Sequence, residues 1–415
     1  MLLVSVGAMA QTRVRMTLDS CLRYAHEHNL QVQTAILNQK SSEVSLTGAK
    51  MQFLPSVNAS ASRGYTWDGQ PTSNTQYGIN GSLTLFNGLS NLRTLQQSRL
   101  SSDQSELKVQ QTENSVDIQI VQAYLTILMN QEKLSYQQEV LETSRQQQLE
   151  GEVKYQVGRI LESDYLLLDA NYTSAQAELD NTALIIEDNI SGLIDLLGMG
   201  DGLSLEIVPL SDTLRASDRT IPSHDSVMAQ AQWSMPDWLI SEMDISLARL
   251  NVRLAESSFM PTLSLNAGYG GQWMPTTTGA TTFGDNTSLT LGLNIPIFNQ
   301  GSSITQLKQS KISLQQAELQ HQQTILDIET QLDNVYLTTQ QALNRYRASE
   351  ALSEAYRASY EVYVLKYAEG AVTTVEMLQQ QDKYLSALNE YLQNKYNYLL
   401  AEKQLDIYTG KEIKL

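Results

Sequence analysis

Two hydrophobic periodicities alternate along this chain and predict two kinds of element. No proline occurs in 72–208 or 297–415, and apolar residues recur at steps of three and four over most of these ranges. This pattern is typical of long α-helices, because proline costs about 3 kcal/mol inside a helix. A helix over 302–367 would be about 100 Å long at 1.5 Å per residue. Such a helix does not fit in a compact globule, so it must pack along others of similar length.

Apolar and small polar residues alternate at every second position in four other stretches, which predicts strands. The stretches are QYGINGSLTLF at 76–86, SLTLGLNIP at 288–296 and, more weakly, VNASASRGY at 57–65 and LSLNAGYGG at 263–271. We expect strands of about ten residues in two hairpins, with loops near 66–75 and 273–287. The same alternation is typical of a half-buried sheet in a soluble protein, so it does not by itself identify the solvent.

The second half of the chain repeats motifs of the first half in one register. The pairs are Phe53-Leu54-Pro55 with Phe259-Met260-Pro261, Tyr124-Leu125-Thr126 with Tyr336-Leu337-Thr338, and Lys154-Tyr155-x-x-Gly158 with Lys366-Tyr367-x-x-Gly370. The first offset is 259 − 53 = 206, and the later ones are 336 − 124 = 367 − 155 = 212. The change falls within the second hairpin, whose loop is longer. A register kept over such a span indicates a structural duplication.

The duplication suggests a division of the chain into repeats. Each repeat has a helix, a β-hairpin, a very long helix, a corner and a shorter helix. The predicted parts are a signal-peptide remnant at 1–10, a first repeat at 11–198 with its hairpin at about 56–86, an irregular connecting segment at 199–235, a second repeat at 236–410 with its hairpin at about 262–297, and a tail at 411–415.

Charge and cysteine content exclude several classes of protein. The chain has 28 basic and 45 acidic residues, a net charge of −17, which disfavours nucleic acid as a partner because phosphates attract Lys and Arg clusters. The single cysteine excludes a disulfide framework within the chain and a multi-cysteine zinc site. No run of eighteen apolar residues is present to form a membrane-spanning helix.

The N-terminal segment resembles the end of an export signal. Residues 1–10 are apolar and finish in Ala8-Met9-Ala10, a small-x-small pattern found before cleavage sites, although the usual basic start is missing. The alternative is a disordered, slightly apolar N-terminus. Cys21 follows in TLDSCLRYAHEHN, which predicts a capped helix, so we expect a buried core cysteine rather than a lipid anchor.

The sequence contains few residues that could form an enzyme active site. His26 and His28 are two residues apart on a predicted helix and do not share a face, so metal ligation there is not expected. The glycine-rich GMGDG at 198–202 lacks the Lys-Ser/Thr of a phosphate-binding loop. We therefore expect no catalytic residues, no metal and no cofactor.

Four strands with open edges cannot lie in lipid, because their edge amides would have no partners. Several motifs are similar to those of the TolC family of outer-membrane efflux channels, and the resemblance covers the chain after the signal. They are the F-x-P motifs at 53–55 and 259–261, LNIPIFNQG at 293–301, the Y-x-x-G corners at 155–158 and 367–370, and NYLLAEKQLDIYTG at 397–410.

The resemblance implies an α+β membrane protein built as a homotrimer. Its trimeric twelve-stranded β-barrel, with four strands per chain, would lie in outer-membrane lipid and be continued by a long periplasmic α-helical barrel. The implied function is that of a passive exit duct in a tripartite efflux or type I secretion complex, with a periplasmic adaptor and an inner-membrane pump as partners. The alternative is a periplasmic coiled-coil adaptor or scaffold without a pore, which explains the helices but not the four strands in matched hairpins.

The resemblance also assigns residues at the tip of the helical barrel. Gly158 and Gly370 would form its two helix-to-helix turns. Glu376 and Gln379 match two acidic positions that line the constricted mouth, and threefold symmetry would place three glutamates in one ring. Because Gln379 is an amide, the sequence predicts one charged ring rather than two. The alternative for Glu376 is an ordinary solvated helix residue.

A link between the two corners holds the tip shut in the family. Tyr367 and Asp164 match its tyrosine and aspartate, whereas its arginine position is Val372 in this chain. A hydrogen bond between Tyr367 and Asp164 remains as the expected link, with Arg159 as a candidate substitute for the arginine. The sequence therefore predicts a less firmly closed entrance.

Overall fold

The computed structural model describes residues 13–68, 70–200, 204–209, 216–275 and 281–411. The helices are α1 (Leu18–His28), α2 (Leu30–Met51), α3 (Ser90–Gln156), α4 (Glu162–Leu197), α5 (His224–Ser234), α6 (Pro236–Ser257), α7 (Ser302–Ala368) and α8 (Thr374–Tyr408). The strands are β1 (Arg13–Met16), β2 (Ser56–Asp68), β3 (Gln70–Asn87), β4 (Ser204–Ile207), β5 (Thr262–Pro275) and β6 (Thr281–Asn294). The predicted signal remnant at 1–10 lies outside the described residues.

Two helices, α3 and α7, are 67 residues long each. The helix predicted over 302–367 is confirmed to within a residue. Both begin in the same way, because Asn87 Oδ1 accepts a hydrogen bond from Asn91 N at 3.3 Å and Asn299 Oδ1 accepts one from Ser303 N at 3.4 Å. These capping asparagines are 212 residues apart, like the sequence motifs. Across the described ranges, no helix is long and apolar enough to cross a membrane.

The four longer strands form one antiparallel sheet in the order β2-β3-β5-β6. They contain 13, 18, 14 and 14 residues, so the expected length of about ten is wrong. The loops predicted at 66–75 and 273–287 are mostly strand, since only residue 69 separates β2 from β3 and only 276–280 separate β5 from β6. Pro71 is tolerated in β3 because it lies opposite Trp67, beyond the part of β3 that pairs with β5.

The two faces of this sheet differ in chemistry. Every even-numbered residue in 56–66, 76–84, 264–272 and 284–294 is Ser, Thr, Asn, Gln or Gly. The odd-numbered face carries most of the large apolar side chains, many of them exposed in the single chain, for example Val57 at 68% and Leu289 at 74%. Aromatic side chains gather near the hairpin connections of the same face, where the Trp273 and Phe283 rings are 4.9 Å apart.

The chain divides into two compact units. The first contains Met1–Thr34, Gln110–Met235 and Leu326–Leu415, and the second contains Ala35–Val109 and Pro236–Ile325. The second unit holds the four-stranded sheet. Both interhelical corners, at 157–161 and 369–373, belong to the first unit.

Helices of the second unit follow the same order as its strands. The contacts that show this order are Ser42 Oγ with Ser105 Oγ at 2.8 Å for α2 and α3, Gln104 Nε2 with Asp244 Oδ1 at 2.7 Å for α3 and α6, and Ser241 Oγ with His321 Nδ1 at 2.8 Å for α6 and α7. The layer is therefore α2-α3-α6-α7. Its two outer helices, α2 and α7, adjoin the two edge strands, β2 and β6, in sequence.

The connecting segment at 199–235 is more regular than predicted. β4 pairs in parallel with β1, with Arg13 opposite Ser204, and α5 occupies the end of the segment. Leu205 and Ile207 are buried at 4% and 2% exposure, so β4 is held by its alternate apolar side chains. A four-residue alternation is too short to be recognised in the sequence. The prediction of an irregular segment is wrong in these parts, while 201–203 and 210–215 lie outside the described residues.

The first helix agrees with the sequence-based expectation. Thr17 caps it, since Thr17 Oγ1 accepts a hydrogen bond from Ser20 N at 3.3 Å. Cys21 is fully buried, and this burial raises the pKa of its thiol to about 12. Because of this high pKa the thiol stays protonated, so Cys21 is an inert part of the core. His26 lies 2.8 Å from Asp117 Oδ1, and the carboxylate raises the pKa of the imidazole.

Candidate functional site

The two corners between long helices are built by the same backbone motif. Gly158 and Gly370 both have left-handed backbone, with φ of +70° and +75°, as the sequence predicts for a tight turn. The closing hydrogen bonds are Gly158 N to Tyr155 O at 2.9 Å, Arg159 N to Lys154 O at 2.8 Å, Gly370 N to Tyr367 O at 3.0 Å and Ala371 N to Lys366 O at 2.8 Å. This pattern is a Schellman motif, and it recurs at an offset of 212 residues.

The helices that leave the corners begin differently. Leu161, at the N-cap of α4, makes no side-chain hydrogen bond, whereas Thr373 and Glu376 form a capping box at the start of α8. Thr373 Oγ1 accepts from Glu376 N at 3.2 Å, and Glu376 Oε2 accepts from Thr373 N at 2.8 Å and from Thr373 Oγ1 at 2.9 Å. Sequence reasoning missed this capping role of Glu376, although the T-x-x-E spacing at 373–376 is its signal.

Glu376 is an exposed carboxylate held at a helix N-terminus. The Thr373 amide and hydroxyl keep its pKa below the usual range for glutamate. Gln379 is also exposed and lies one turn further along α8, on the same face. This face therefore presents one charged and one neutral oxygen-bearing side chain. Asp164 is the counterpart of Glu376 in the first corner, because 376 − 164 = 212.

Tyr367 joins the two corners through a residue that the sequence analysis did not single out. The Lys154 ammonium at the end of α3 lies 4.7 Å from the centroid of the Tyr367 ring, a cation–π contact. Thr374 Oγ1 lies 3.5 Å from the Tyr367 hydroxyl, at the limit for a hydrogen bond. The only sequence signal for Lys154 was its place in the repeated Lys-Tyr-x-x-Gly motif.

The structure does not join Asp164 to Tyr367 within one chain. Among the described residues, no hydrogen bond or ion pair involves the Asp164 carboxylate or the Arg159 guanidinium. Val372, the residue that the sequence analysis matched to the family's arginine, is half-buried. The predicted Asp164 link therefore remains a proposal, and the contact seen in the chain is the one from Lys154.

Buried amides hold the helices together below the corners. Asn171 Nδ2 of α4 lies 3.1 Å from Ser144 Oγ of α3 and 3.4 Å from Gln381 Oε1 of α8. Gln380 Nε2 of α8 donates to Ser359 Oγ of α7 at 2.8 Å. Gln380 and Gln381 are 9% and 2% exposed. A polar interface of this kind fixes the relative register of the four helices through directional hydrogen bonds.

No cluster of metal-ligating side chains accompanies this site in the described part of the chain. Groups of three or more His, Cys, Asp or Glu side chains able to hold a metal ion are absent from the described ranges. His224 Nε2 lies 2.7 Å from Asp333 Oδ1, which raises the pKa of the imidazole, and His321 contacts Ser241. These histidines connect helices to one another.

Two solved structures of membrane proteins share this fold. A membrane protein from Pseudomonas aeruginosa superposes with a TM-score of 0.79 at 16% identity, over 95% of this chain and 90% of that chain. The CmeC outer membrane channel of Campylobacter jejuni gives a TM-score of 0.76 at 19% identity, over 95% of this chain and 85% of that chain. The chain therefore shares its fold with these two membrane proteins.

The family is shown by the sequence itself. The model of the outer membrane efflux protein family matches residues 22–199 and 227–411. Outer membrane protein TolC of Vibrio cholerae is 20% identical over 415 aligned residues, which cover 97% of this chain and 92% of that protein. The chain belongs to the outer membrane efflux protein family, and the predicted resemblance is confirmed. It is an outer-membrane exit duct with a periplasmic extension.

Proposed function

We propose that three copies of this chain form the outer-membrane section of a tripartite efflux or secretion complex. The observation that carries the proposal is the four-stranded sheet, which is open at β2 and β6. Unpaired edge amides are not tolerated in lipid, so β6 of one copy pairs with β2 of the next. Since neighbouring strands alternate in direction, this new pairing is also antiparallel. Three copies close a barrel of twelve strands, an even number as in bacterial outer-membrane barrels.

The two faces of the sheet suit the two sides of such a barrel. The odd-numbered apolar face would contact lipid, with the aromatic side chains near the hairpin connections at the membrane interface. The even-numbered face would line the lumen with hydroxyl and amide groups. Since this lining carries no charge in the stretches given above, we expect the barrel to pass solutes of either sign, and charge selection would occur elsewhere along the duct.

The tip is the proposed place of charge selection and gating. Three copies of Glu376 would form one carboxylate ring, and the three Gln379 side chains would form a neutral ring one turn further along. The Lys154–Tyr367 contact would hold the two corners of each chain together in the closed state, and Asp164 is the second candidate for this link. Opening would require these contacts to break in each chain.

The partners would be a periplasmic adaptor and an inner-membrane pump. Apolar side chains at both corners are exposed in the single chain, among them Val157 at 64%, Leu161 at 71% and Leu365 at 67%. Exposed apolar groups at one location are typical of docking surfaces, and an adaptor would cover them. The duct itself would be passive, with no catalytic role and no cofactor, and the pump would supply the energy.

Cell fractionation tests this proposal against a periplasmic scaffold. The protein is expected in the outer-membrane fraction, and on unheated dodecyl sulfate gels it is expected to migrate as a trimer that becomes a monomer on boiling. Inter-subunit strand pairing is the reason for this resistance, because the edge hydrogen bonds are shielded by lipid or detergent. Recovery as a soluble periplasmic monomer would rule out the duct.

A further inference from the structure

One basic side chain lies on the face of the sheet that would contact lipid. Arg63 of β2 is the only Lys or Arg in the sequence of the four long strands, and its odd number places it on the apolar face. It is exposed in the single chain. Its neighbours on the same face of β2 are Ala59 and Ala61 towards the helices, and Tyr65 and Trp67 towards the hairpin connection. Arg63 therefore lies where an aliphatic surface changes to an aromatic one.

Hydrogen-bond donors surround the guanidinium group on this face. Thr75 of β3 lies directly opposite Arg63, and Ser73 lies directly opposite Tyr65. Residues opposed in this way have Cβ atoms about 4.5–5.5 Å apart. The Arg63 guanidinium is 5.1 Å from the centroid of the Tyr65 ring, a cation–π contact that holds the long side chain along its strand. These two rows on two strands thus combine one positive charge with two aliphatic hydroxyls and one phenol.

No carboxylate neutralises Arg63 among the side chains that the structure describes. The guanidinium contacts the Tyr65 ring and enters no ion pair there. Asp285 is on the same face, but it belongs to β6, three strand spacings or about 14 Å away in the same chain. A charged guanidinium on the lipid-facing side of a barrel is destabilising, and the cost increases with depth. Because arginine keeps its charge at every physiological pH, Arg63 needs an anion at its own level of the membrane.

We propose that Arg63, flanked by the hydroxyls of Ser73, Thr75 and Tyr65, binds the phosphate of an anionic lipid headgroup. A guanidinium binds two phosphate oxygens through parallel hydrogen bonds, and adjacent hydroxyls can donate to the remaining oxygens. Aromatic side chains gather at the depth where lipid headgroups begin, so the phosphate and the guanidinium would meet at the same level. The inference rests on the lipid-facing orientation proposed above and adds one lipid site to each copy.

The combination of charge and apolar surface selects a lipid as the occupant. Ile79 and Tyr269 lie opposite each other on the same face, nearer the helices than Arg63, and are 53% and 48% exposed. An acyl chain that extends from the bound phosphate towards the membrane centre would cover them. A free phosphate ion would satisfy the charge and leave this surface bare. A soluble acidic protein cannot reach a surface that lies in lipid.

Tryptophan quenching by brominated lipids tests this site in the reconstituted trimer. Trp67 and Trp273 are exposed on the same face as Arg63, and Trp273 shares its row across the sheet. Vesicles of unbrominated phosphatidylcholine receive increasing fractions of either brominated phosphatidylglycerol or brominated phosphatidylcholine. The binding constant of phosphatidylglycerol relative to phosphatidylcholine is expected to be about five, the factor that one basic side chain contributes near an anionic lipid surface.

Three substitutions assign the preference to this arginine. Arg63→Gln is expected to lower the ratio of binding constants to about one, because the positive charge is lost. Arg63→Lys keeps the charge without the two-point contact, so its ratio should be intermediate. Arg345→Gln is the matched control, since it removes an exposed charge from α7 and should leave the ratio at that of the unmodified protein. The unheated trimer on gels verifies that each variant folds.

Four results would overturn the site, and one of them would also overturn the duct. Equal ratios in the unmodified protein and in Arg63→Gln, with quenching by both lipids, would remove the lipid site and leave the duct in place. Loss of the preference when inorganic phosphate is added at constant ionic strength would assign Arg63 to a free anion. A preference that appears only in Asp285→Asn would mean that Asp285 of a neighbouring copy neutralises the guanidinium. Quenching by neither lipid would place this face outside the membrane and contradict the proposed function as well.

Discussion

Replacement of Glu376 with glutamine is expected to remove most of the block of this channel by divalent cations while lowering its stability only slightly. Three carboxylates facing one cation contribute about 1 kcal/mol each in wet surroundings, so the affinity for the blocking ion should fall about 100-fold. Glutamine still accepts the Thr373 amide hydrogen bond of the capping box, so α8 should begin normally. Single-channel recordings with increasing Mg²⁺ measure the change.

Two further variants separate the charge of this residue from its capping role. Gln379→Glu should add a second carboxylate ring and strengthen the block. Glu376→Ala removes both the charge and the capping box, so it should weaken the block and also lower the melting temperature. If Glu376→Gln leaves the block unchanged, Glu376 is a solvated capping residue and lines no constriction.

The pH dependence of the block follows from the environment of the same carboxylate. In the chain, the Thr373 hydrogen bonds lower the pKa of Glu376, so its charge persists below the usual range for glutamate. The ionised carboxylate of Glu376 therefore stabilises the folded chain fully at pH values above the pKa that this residue has in the unfolded chain. This stabilisation is lost as the pH falls through the lower pKa of the folded chain. Repulsion among three carboxylates in a ring raises the pKa of each one instead. The block should accordingly persist at neutral pH and disappear in acid.

Tyr367→Leu is expected to open the tip, whereas Tyr367→Phe is expected to leave it closed. Phenylalanine keeps an aromatic ring beneath the Lys154 ammonium and loses only the hydroxyl. An exposed cation–π contact is worth about 0.5–1 kcal/mol, so three contacts per trimer shift the open-to-closed equilibrium by about 10–100-fold. Lys154→Met should reproduce Tyr367→Leu. Conductance in planar bilayers and sensitivity of cells to large antibiotics measure the opening.

Asp164→Ala is the matched comparison for this experiment. A link through the Tyr367 hydroxyl and Asp164 requires that both Tyr367→Phe and Asp164→Ala raise conductance. That pair of results would contradict the cation–π link and would assign the closed state to the hydrogen bond inferred from the family. Closed channels in both variants, with open channels in Lys154→Met, would support the contact seen in the chain.

The sequence predicts those elements whose pattern extends over many residues. The bounds of α7 follow from the absence of proline and from the apolar stripe, both of which extend over the whole helix. The duplication was visible because motifs recur in one register, and the structure repeats that register in its glycine turns and asparagine caps. Periodicity predicted the ends of the strands less well, because Trp67, Pro71 and the residues around them resemble a loop sequence.

The site was harder to predict because its contacts join distant parts of the chain. Lys154 and Tyr367 are 213 positions apart, and no local pattern indicates that α3 and α7 bring them together. β4 was missed for a related reason, since its partner β1 lies near the N-terminus and each strand has only four residues. The capping box at 373–376 is local, and its T-x-x-E spacing was sufficient to predict it.

The proposed function depends on a trimeric pore of this chain through the outer membrane. Its most direct test is single-channel recording from the purified, unboiled protein in a planar lipid bilayer. We predict uniform conductance steps that favour cations over chloride and that originate from the trimer band alone. Tyr367→Leu trimers that insert without conducting, or a protein that never associates with lipid, would contradict a trimeric pore.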